Sequence, residues 1–439
     1  MNGITRRRIL MAGLAALLPM GAAFAALPRN PDIVIVGAGM AGLAAAQALR
    51  RAGFSIAVLE ARSRIGGRAY TERDSFGVPF DHGCAWLNGT ARNPLVKLTG
   101  DLGFRVLPDN GPIRMFGAGD GAGSAATDRF QVAIGNLQAA IDEAGAAGRD
   151  VSFAKIYRPQ DAWERLALLL TSTTSYGVEP TDVSVVDSYN RAAIEKRVLV
   201  PRGLGSAVTA YGMGMPVALG RPVERIAWSG SDVEVGTPAG TLRAKAALIT
   251  VSTGVLSSGA IRFDPVLPAW KREAISGVPM GLLNKIALQY RRGAIDAPPG
   301  TWLLGQDRNG RALSFLIDPF DGGLVIGLVG GALAGALERS GDRAAIDYAR
   351  SELSSVLGSG LDRGFRRARV TGWSSDPWAL GSFSAAKPGY ARMRQVLALP
   401  VGKKIYFAGE ATHSAWAAQL PGAYLSGAAA AAQIVKDFG

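Results

Sequence analysis

The chain alternates between short unbroken apolar runs and stretches with apolar residues every third or fourth position. Ile33 to Val36 is four apolar, β-branched residues in a row, as expected of a strand buried on both faces. Gly37-Ala38-Gly39-Met40-Ala41-Gly42 follows, then a helix-forming stretch from Leu43 to Arg50, a stop at Gly53 and a second strand from Ser55 to Leu59. This order predicts a βαβ unit. Farther on, Phe130 to Ala147 and Asp161 to Thr171 read as helices, preceded by a glycine-, alanine- and serine-rich loop from Ala118 to Asp128. Alternation around Ser231 to Val235 and Thr241 to Arg243 predicts a hairpin. Ala246 to Thr250, Leu283 to Leu288, Leu313 to Ile317 and Leu324 to Val329 read as strands, and Arg343 to Leu357 as a helix. The chain closes with a strand running into the Gly409-Glu410 turn and an alanine-rich helix opened by Pro421.

The glycines after the first strand carry chemistry. Gly37 permits a tight turn, Gly39 lets backbone approach a pyrophosphate, and Gly42 lets helix and strand pack closely. The anion would sit over Met40 and Ala41, where a helix N-terminus offers unpaired N–H groups. Glu60 ends the second strand, about 20 residues past the glycines, where a carboxylate can accept both hydroxyls of an adenosine ribose. The basic loop Ala61-Arg62 to Gly66-Gly67-Arg68 can wrap the far side of the pyrophosphate. A dinucleotide site is expected, with NAD and FAD both open at this point. A glycine turn in an ordinary helix–strand contact is the alternative.

Two features change the picture at the N-terminus. Arg6-Arg7-Arg8 precedes an apolar stretch to Leu18, and Ala23-Phe24-Ala25 offers small residues for cleavage. Residues 1–25 therefore read as a twin-arginine signal peptide, which would send a folded, cofactor-loaded protein to the periplasm or outside the cell through the twin-arginine export machinery. Nothing else resembles a membrane span. Charged residues make up 19% and hydrophobic ones 48% of 439 residues, a globular balance with length for two domains. The net charge of +13 comes without basic runs outside the leader, which excludes a nucleic-acid partner and reads as surface charge. Cys84 is the single cysteine, so there is no intrachain disulfide; one cysteine and two histidines also disfavour any metal centre.

Residues 32–71, followed by Phe80-Asp81-His82-Gly83-Cys84-Ala85-Trp86, resemble the flavin amine oxidase family, and Leu283-Asn284-Lys285-Ile286, Gly381-Ser382-Phe383 and Gly409-Glu410 extend the match. Its run from Ser252 to Pro268 is closest to the polyamine oxidase branch. The resemblance implies an α/β fold: a Rossmann-type FAD-binding domain over 27–89, 196–280 and 367–439, interleaved with an α+β substrate-binding domain of mixed sheet and helices over 90–195 and 281–366. It implies FAD held by the glycine loop, Glu60, Gly66-Gly67-Arg68, backbone near Gly83, Ala85 and Trp86, Val223 near the adenine, Trp373, Gly409, Glu410 and the N–H of Ala423. It assigns Lys285 to hold a water against flavin N5. In a strand, Lys285 shares a face with Leu283 and Ala287, an odd setting for a solvated lysine; an edge-strand lysine that blocks aggregation is the other reading.

Departures from the family pattern narrow the expectation. Ser382 stands where some members carry a flavin-linking cysteine, so FAD is expected to be non-covalent. The two substrate-lining tyrosines of monoamine oxidases correspond to Phe383 and Gln419, with Trp416 or Trp378 as a further aromatic wall. L-amino-acid oxidases have a carboxylate-binding arginine where this chain has Trp86, and Arg114 falls some thirty residues too late. An amino-acid substrate is therefore disfavoured unless an arginine comes from elsewhere. Glu164, Glu179, Asp187 and Glu195 could face a cationic substrate but read as solvated acids, and His82 and His413 read as structural.

The expected function is oxidation of an amine C–N bond. A polyamine or other small-molecule amine gives hydride from its α-carbon to flavin N5, the imine hydrolyses, and O2 or a periplasmic electron carrier reoxidises the flavin. The alternatives are a desaturase or protoporphyrinogen-type oxidase acting on C–C or ring C–H bonds, or a non-catalytic FAD-stabilised binding module.

Overall fold

Ile33–Val36 is buried along its whole length, and a five-stranded parallel sheet is built outward from it. Its neighbours are Ile56–Leu59 on one side and Ala246–Ile249 on the other, with Val217–Ala218 and Ile405–Phe407 at the edges. Successive side chains point to opposite faces. Ile33 and Ile35 join the core beneath the helix Met40–Arg51, while Val34 and Val36 join the core on the other face. The final helix, Leu420–Phe438, lies against Met40–Arg51. A side chain at Gly427 would start 2.1 Å from the Ala41 carbonyl, so only glycine allows this approach.

A computed structural model describes residues 28, 30–89, 91–117, 124–192 and 196–439. The expected leader over residues 1–25 and Glu195 lie outside the described residues. Among the described residues, no helix is long and apolar enough to cross a membrane.

The second large element is a six-stranded mixed sheet. Its order is Phe365–Val370, Leu283–Tyr290, Leu324–Gly330, Ala312–Ile317, Trp302–Gln306 and Ile113–Phe116. Ile286, Leu288 and Tyr290 face a core shared with the helix Asp342–Leu357. Ala287 and Leu283 face the opposite way, toward Phe80, Ala85 and Trp86. Lys285 lies on that second face, in a strand paired on both sides. It is therefore not an edge-strand lysine.

Three local expectations are corrected. The helix expected from Phe130 begins at Ser124, because Ala126 packs with Phe130 and Ala133 against Trp163 and Leu166. The helix expected to reach Thr171 is Ala162–Leu169, and it continues as a π-helical turn over Leu170–Thr174. Asp187 is not solvated: it is 2% exposed and pairs with the fully buried Arg394 through both carboxylate oxygens, at 2.5 and 2.8 Å. This pair ties the short helix Val185–Tyr189 to the helix Met393–Ala398 beneath the parallel sheet.

Removing one member of a buried ion pair strands the other charge. Asp187→Ala is expected to lower unfolding stability by about 3–5 kcal/mol in urea titration of the holoprotein. A loss below about 1 kcal/mol would mean that Arg394 finds another partner or water.

Candidate active site

The two sheets meet at one cavity of about 520 Å³. Its first wall is the glycine loop. The helix Met40–Arg51 begins directly at the loop, so the N–H groups of Met40 and Ala41 have no carbonyl four residues back and open toward the cavity. Gly39 has ordinary extended backbone, and a side chain there would meet nothing within 4 Å, so the space in front of it is a cradle. At Gly42 a side chain would begin 2.0 Å from the Gly37 carbonyl. Gly42 therefore packs the turn and does not line the cavity.

Glu60, 3% exposed, lines the next part of the wall. Its two oxygens accept the N–H groups of Ala38 and Arg62, both at 2.9 Å, which fixes the carboxylate across the loop. A carboxylate has about four acceptor positions, so room remains for hydroxyls. Arg62 pairs with Asp376 at 2.8 Å, and Arg64 donates to the Gly67 carbonyl at 2.8 Å. Ala61, Gly66, Gly67, Arg68 and Val223 complete this side of the cavity.

Glu410 organises the opposite side. Its carboxylate accepts from Arg68 (2.8 Å), from the Ser384 hydroxyl (2.6 Å) and N–H (3.1 Å), and from the Ala418 N–H (3.0 Å). Burial would raise this carboxyl, but Arg68 and Arg394 outweigh burial and hold it below the usual range. Gly409 and Ala423 also line the cavity. The Ala423 N–H, however, donates to the Gln419 carbonyl at 3.3 Å, so it is not the free donor expected. In this first turn the N–H groups without an intrahelical carbonyl belong to the residues before Ala423, of which Leu420 lines the cavity.

Lys285 reaches the same cavity from the mixed sheet. Its ammonium donates to the carbonyls of Asp81 and Gly83, both at 2.7 Å, and lies 5.2 Å from the centre of the Trp86 ring. Two of its three hydrogens are thus spent on backbone, leaving one direction for the cavity. Burial pulls its pKa down to about 8, against the pull of Asp81. Asn284 points the other way and holds the Trp373 N–H at 3.2 Å, while the Lys285 N–H donates to the Thr371 hydroxyl at 2.8 Å. The Asn-Lys dipeptide therefore anchors the loop that brings Trp373 to the cavity wall.

Ser382 clamps the Leu283 backbone, accepting its N–H at 2.9 Å and donating to its carbonyl at 2.8 Å. Cys84 is half-buried, with its thiol pushed up to about 12 by desolvation first and then by Asp81, so no reactive thiolate faces the cavity. Phe383 and Gln419 line the cavity as expected. Trp416 does not: it is 8% exposed, and its backbone packs against Gly422 and the imidazole of His413. His82 lines the cavity but is held by Glu72, and burial lowers its pKa against the pull of that carboxylate. Glu164 and Glu179 stay outside, each taken by a backbone N–H.

Sequence reading missed an aromatic wall. The indoles of Trp86 and Trp302 both donate to Asp109, at 2.9 Å each, with ring centres 5.8 Å apart. Trp302 lies 193 positions from Asp109, and only the buried indole's need for an acceptor hints at the pairing. Arg191, Arg197 and Ser314, which also line the cavity, carried no local signal.

These residues fit FAD: an open cradle at Gly39, a fixed acid at Glu60 and a third strand–turn–helix at Gly409 line one cavity. Such a site defines a dinucleotide-dependent oxidoreductase. More narrowly, the family model for "Flavin containing amine oxidoreductase" matches residues 40–435, and the chain belongs to that family. Polyamine oxidase 2 of Arabidopsis thaliana is 30% identical, covering 92% of this chain and 88% of the relative. Polyamine oxidase 3 of Oryza sativa subsp. japonica is 30% identical, covering 92% and 89%. The structure of cyclohexylamine oxidase from Brevibacterium oxydans IH-35A superposes with a TM-score of 0.76 at 24% identity, over 93% of this chain and 99% of that one. The cofactor is FAD.

The two glycines separate cradle from packing. Gly39→Val is expected to purify folded but depleted of FAD, read as flavin absorbance per protein with an unchanged far-UV spectrum. Gly42→Val should lose thermal stability itself, since its side chain would overlap backbone. Equal FAD content in Gly39→Val and the wild type would refute the cradle.

Proposed function

We propose that the chain oxidises a C–N bond of a polyamine or other small-molecule amine. The observation that carries this reading is Lys285, a buried ammonium aimed from the substrate side into the cavity that the glycine loops enclose. Bound FAD supplies the two-electron acceptor for hydride leaving the α-carbon of the amine. The resulting imine hydrolyses in water to a carbonyl compound and a smaller amine, and oxygen or a periplasmic electron carrier takes the electrons onward.

The chain's own residues bind, orient and manage protons. Phe383, Trp86 and Trp302 give the substrate flat apolar faces. Of the carboxylates among the described residues, only Glu60 and Glu410 line the cavity, and both are engaged on the cofactor side. With Lys285 nearby, the site favours the neutral amine, whose lone pair is needed for imine formation. When Lys285 loses its proton, near pH 8, two N–H bonds still hold the nitrogen to Asp81 and Gly83, and its lone pair turns toward the cavity as a proton acceptor.

Anaerobic mixing of the yellow holoprotein with monoamines, cyclic amines and polyamines should bleach the flavin band with at least one of them; bleaching by none would sink amine oxidation. The sign of the pH effect follows from the lowered pKa. The acceptor form of Lys285 exists above about pH 8, so flavin reduction should rise through that range. Lys285→Met should keep FAD, lose that limb and slow reduction or reoxidation roughly 10²-fold or more. Unchanged rates in both half-reactions would contradict the role.

We also propose export by the twin-arginine route, on the strength of Arg6-Arg7-Arg8 and the short apolar stretch after them. The protein recovered from the periplasm should begin after Ala25; a start at Met1 would contradict cleavage.

A further inference from the structure

We infer that the amine taken by this cavity carries a carboxylate, remote from the bond that is oxidised and held between Arg191 and Arg197. This rests on the amine-oxidation reading and narrows its substrate class away from polyamines.

Among the described residues, the charged side chains that line the substrate end are Lys285, Arg191 and Arg197, all of them donors. Arg197 follows on from the aromatic wall: its guanidinium lies 4.7 Å over the Trp302 ring, and its strand pairs with Trp86–Asn88 so that Arg197 stands opposite Asn88. Its Nε meets Asp109 at 2.7 Å, while its side chain stays 39% exposed. Asp109 is itself 1% exposed, outside the cavity lining and already accepting both indoles. It is therefore the post that holds the tryptophans and Arg197 in place, and it is not offered to a cationic ligand.

Arg191 lines the same cavity from a different segment of the chain. Its guanidinium lies 4.5 Å over the Tyr176 ring and donates to the Ser175 carbonyl at 3.2 Å, and no carboxylate among the described residues lies within ion-pair distance. The next residue, Ala192, donates its N–H to the Ala415 carbonyl at 2.7 Å, which fixes this segment beside the turn that carries Gln419. Gln419 is 8% exposed; its carbonyl oxygen accepts from Asn88 at 3.0 Å, and its amide nitrogen has no partner. The Ser314 hydroxyl, in a residue 1% exposed, also lacks a partner and lines the cavity.

A buried donor without an acceptor costs free energy until a ligand supplies one. Two guanidiniums, an unpaired amide and an unpaired hydroxyl, with no free acid beside them among the described residues, match an anion. Guanidinium geometry suits a carboxylate, which it can hold through two parallel hydrogen bonds. The same charges oppose a second or third ammonium, the feature by which a polyamine would be recognised. The arginines come from 191 and 197, and the position of Trp86 keeps its tryptophan.

The test uses the FAD-loaded protein and two matched series. In the first, straight-chain carboxylates and alkylammoniums of equal length are titrated at neutral pH, and binding is read from the shift of the flavin absorption band. Carboxylates should bind about tenfold to a hundredfold tighter, and Arg191→Met and Arg197→Lys should each shrink that preference. Tighter binding of the alkylammoniums, or an unchanged preference in both variants, would overturn the inference. In the second, 4-(methylamino)butanoate, its methyl ester, N-methylbutylamine and N-methylputrescine are compared by anaerobic bleaching. The acid should react fastest at low concentration and the dication slowest. Preference for the dication overturns the inference while leaving amine oxidation standing; bleaching by no amine of any charge removes both.

Discussion

A guanidinium with no exposed surface must be paired on every side, and that requirement organises this molecule. Arg394 binds the Asp187 carboxylate through two nitrogens and reaches the Ser384 hydroxyl at 2.7 Å. Ser384 in turn donates to Glu410, which Arg68 holds from the far side. Four separated stretches of chain thus meet through charge-assisted bonds that tolerate little displacement in a low-dielectric interior. The helix Val185–Tyr189, the segment before the last strand, the Gly409-Glu410 turn and the basic loop after Glu60 are fixed together. Arg68 and Glu410 of this network line the cavity, so these bonds fix its cofactor side.

The substrate side is built on a different principle. Asp109 accepts three donors, and the two tryptophans and Arg197 that supply them form a tilted stack. Lys285 stands at the other end of this wall, 5.2 Å from Trp86. Lys285 is tied to backbone carbonyls, and Arg197 lies over an aromatic face while Asp109 holds its Nε. The outcome is a substrate side on which Arg191, Arg197 and Lys285 all present donors.

How far the chain could be read in advance depended on the distance between interacting residues. The βαβ unit at Ile33–Leu59 was legible because turn, helix and strand are local, and each glycine answers to backbone within a few positions, as at Gly42 against Gly37. The face of Lys285 was legible for the same reason, since strand alternation alone puts it beside Leu283 and Ala287. Asp187 was misread as solvated because its partner, Arg394, lies 207 residues on. Trp416 was misplaced because a short turn decides whether a tryptophan points into a cavity or packs under it.

The sequence by itself therefore determined the cofactor fold, where the physics is that of turns, helix starts and strand periodicity. It also determined the family, through motifs that are each continuous in the chain. Only the tertiary structure decided the character of the substrate cavity. Trp86, Asp109, Arg197 and Trp302 acquire meaning as a group once two antiparallel strands and a sheet edge bring them within hydrogen-bond reach. Electrostatics falls off with distance in space, not along the chain, and no local pattern of residues encodes which charges will face the same empty volume.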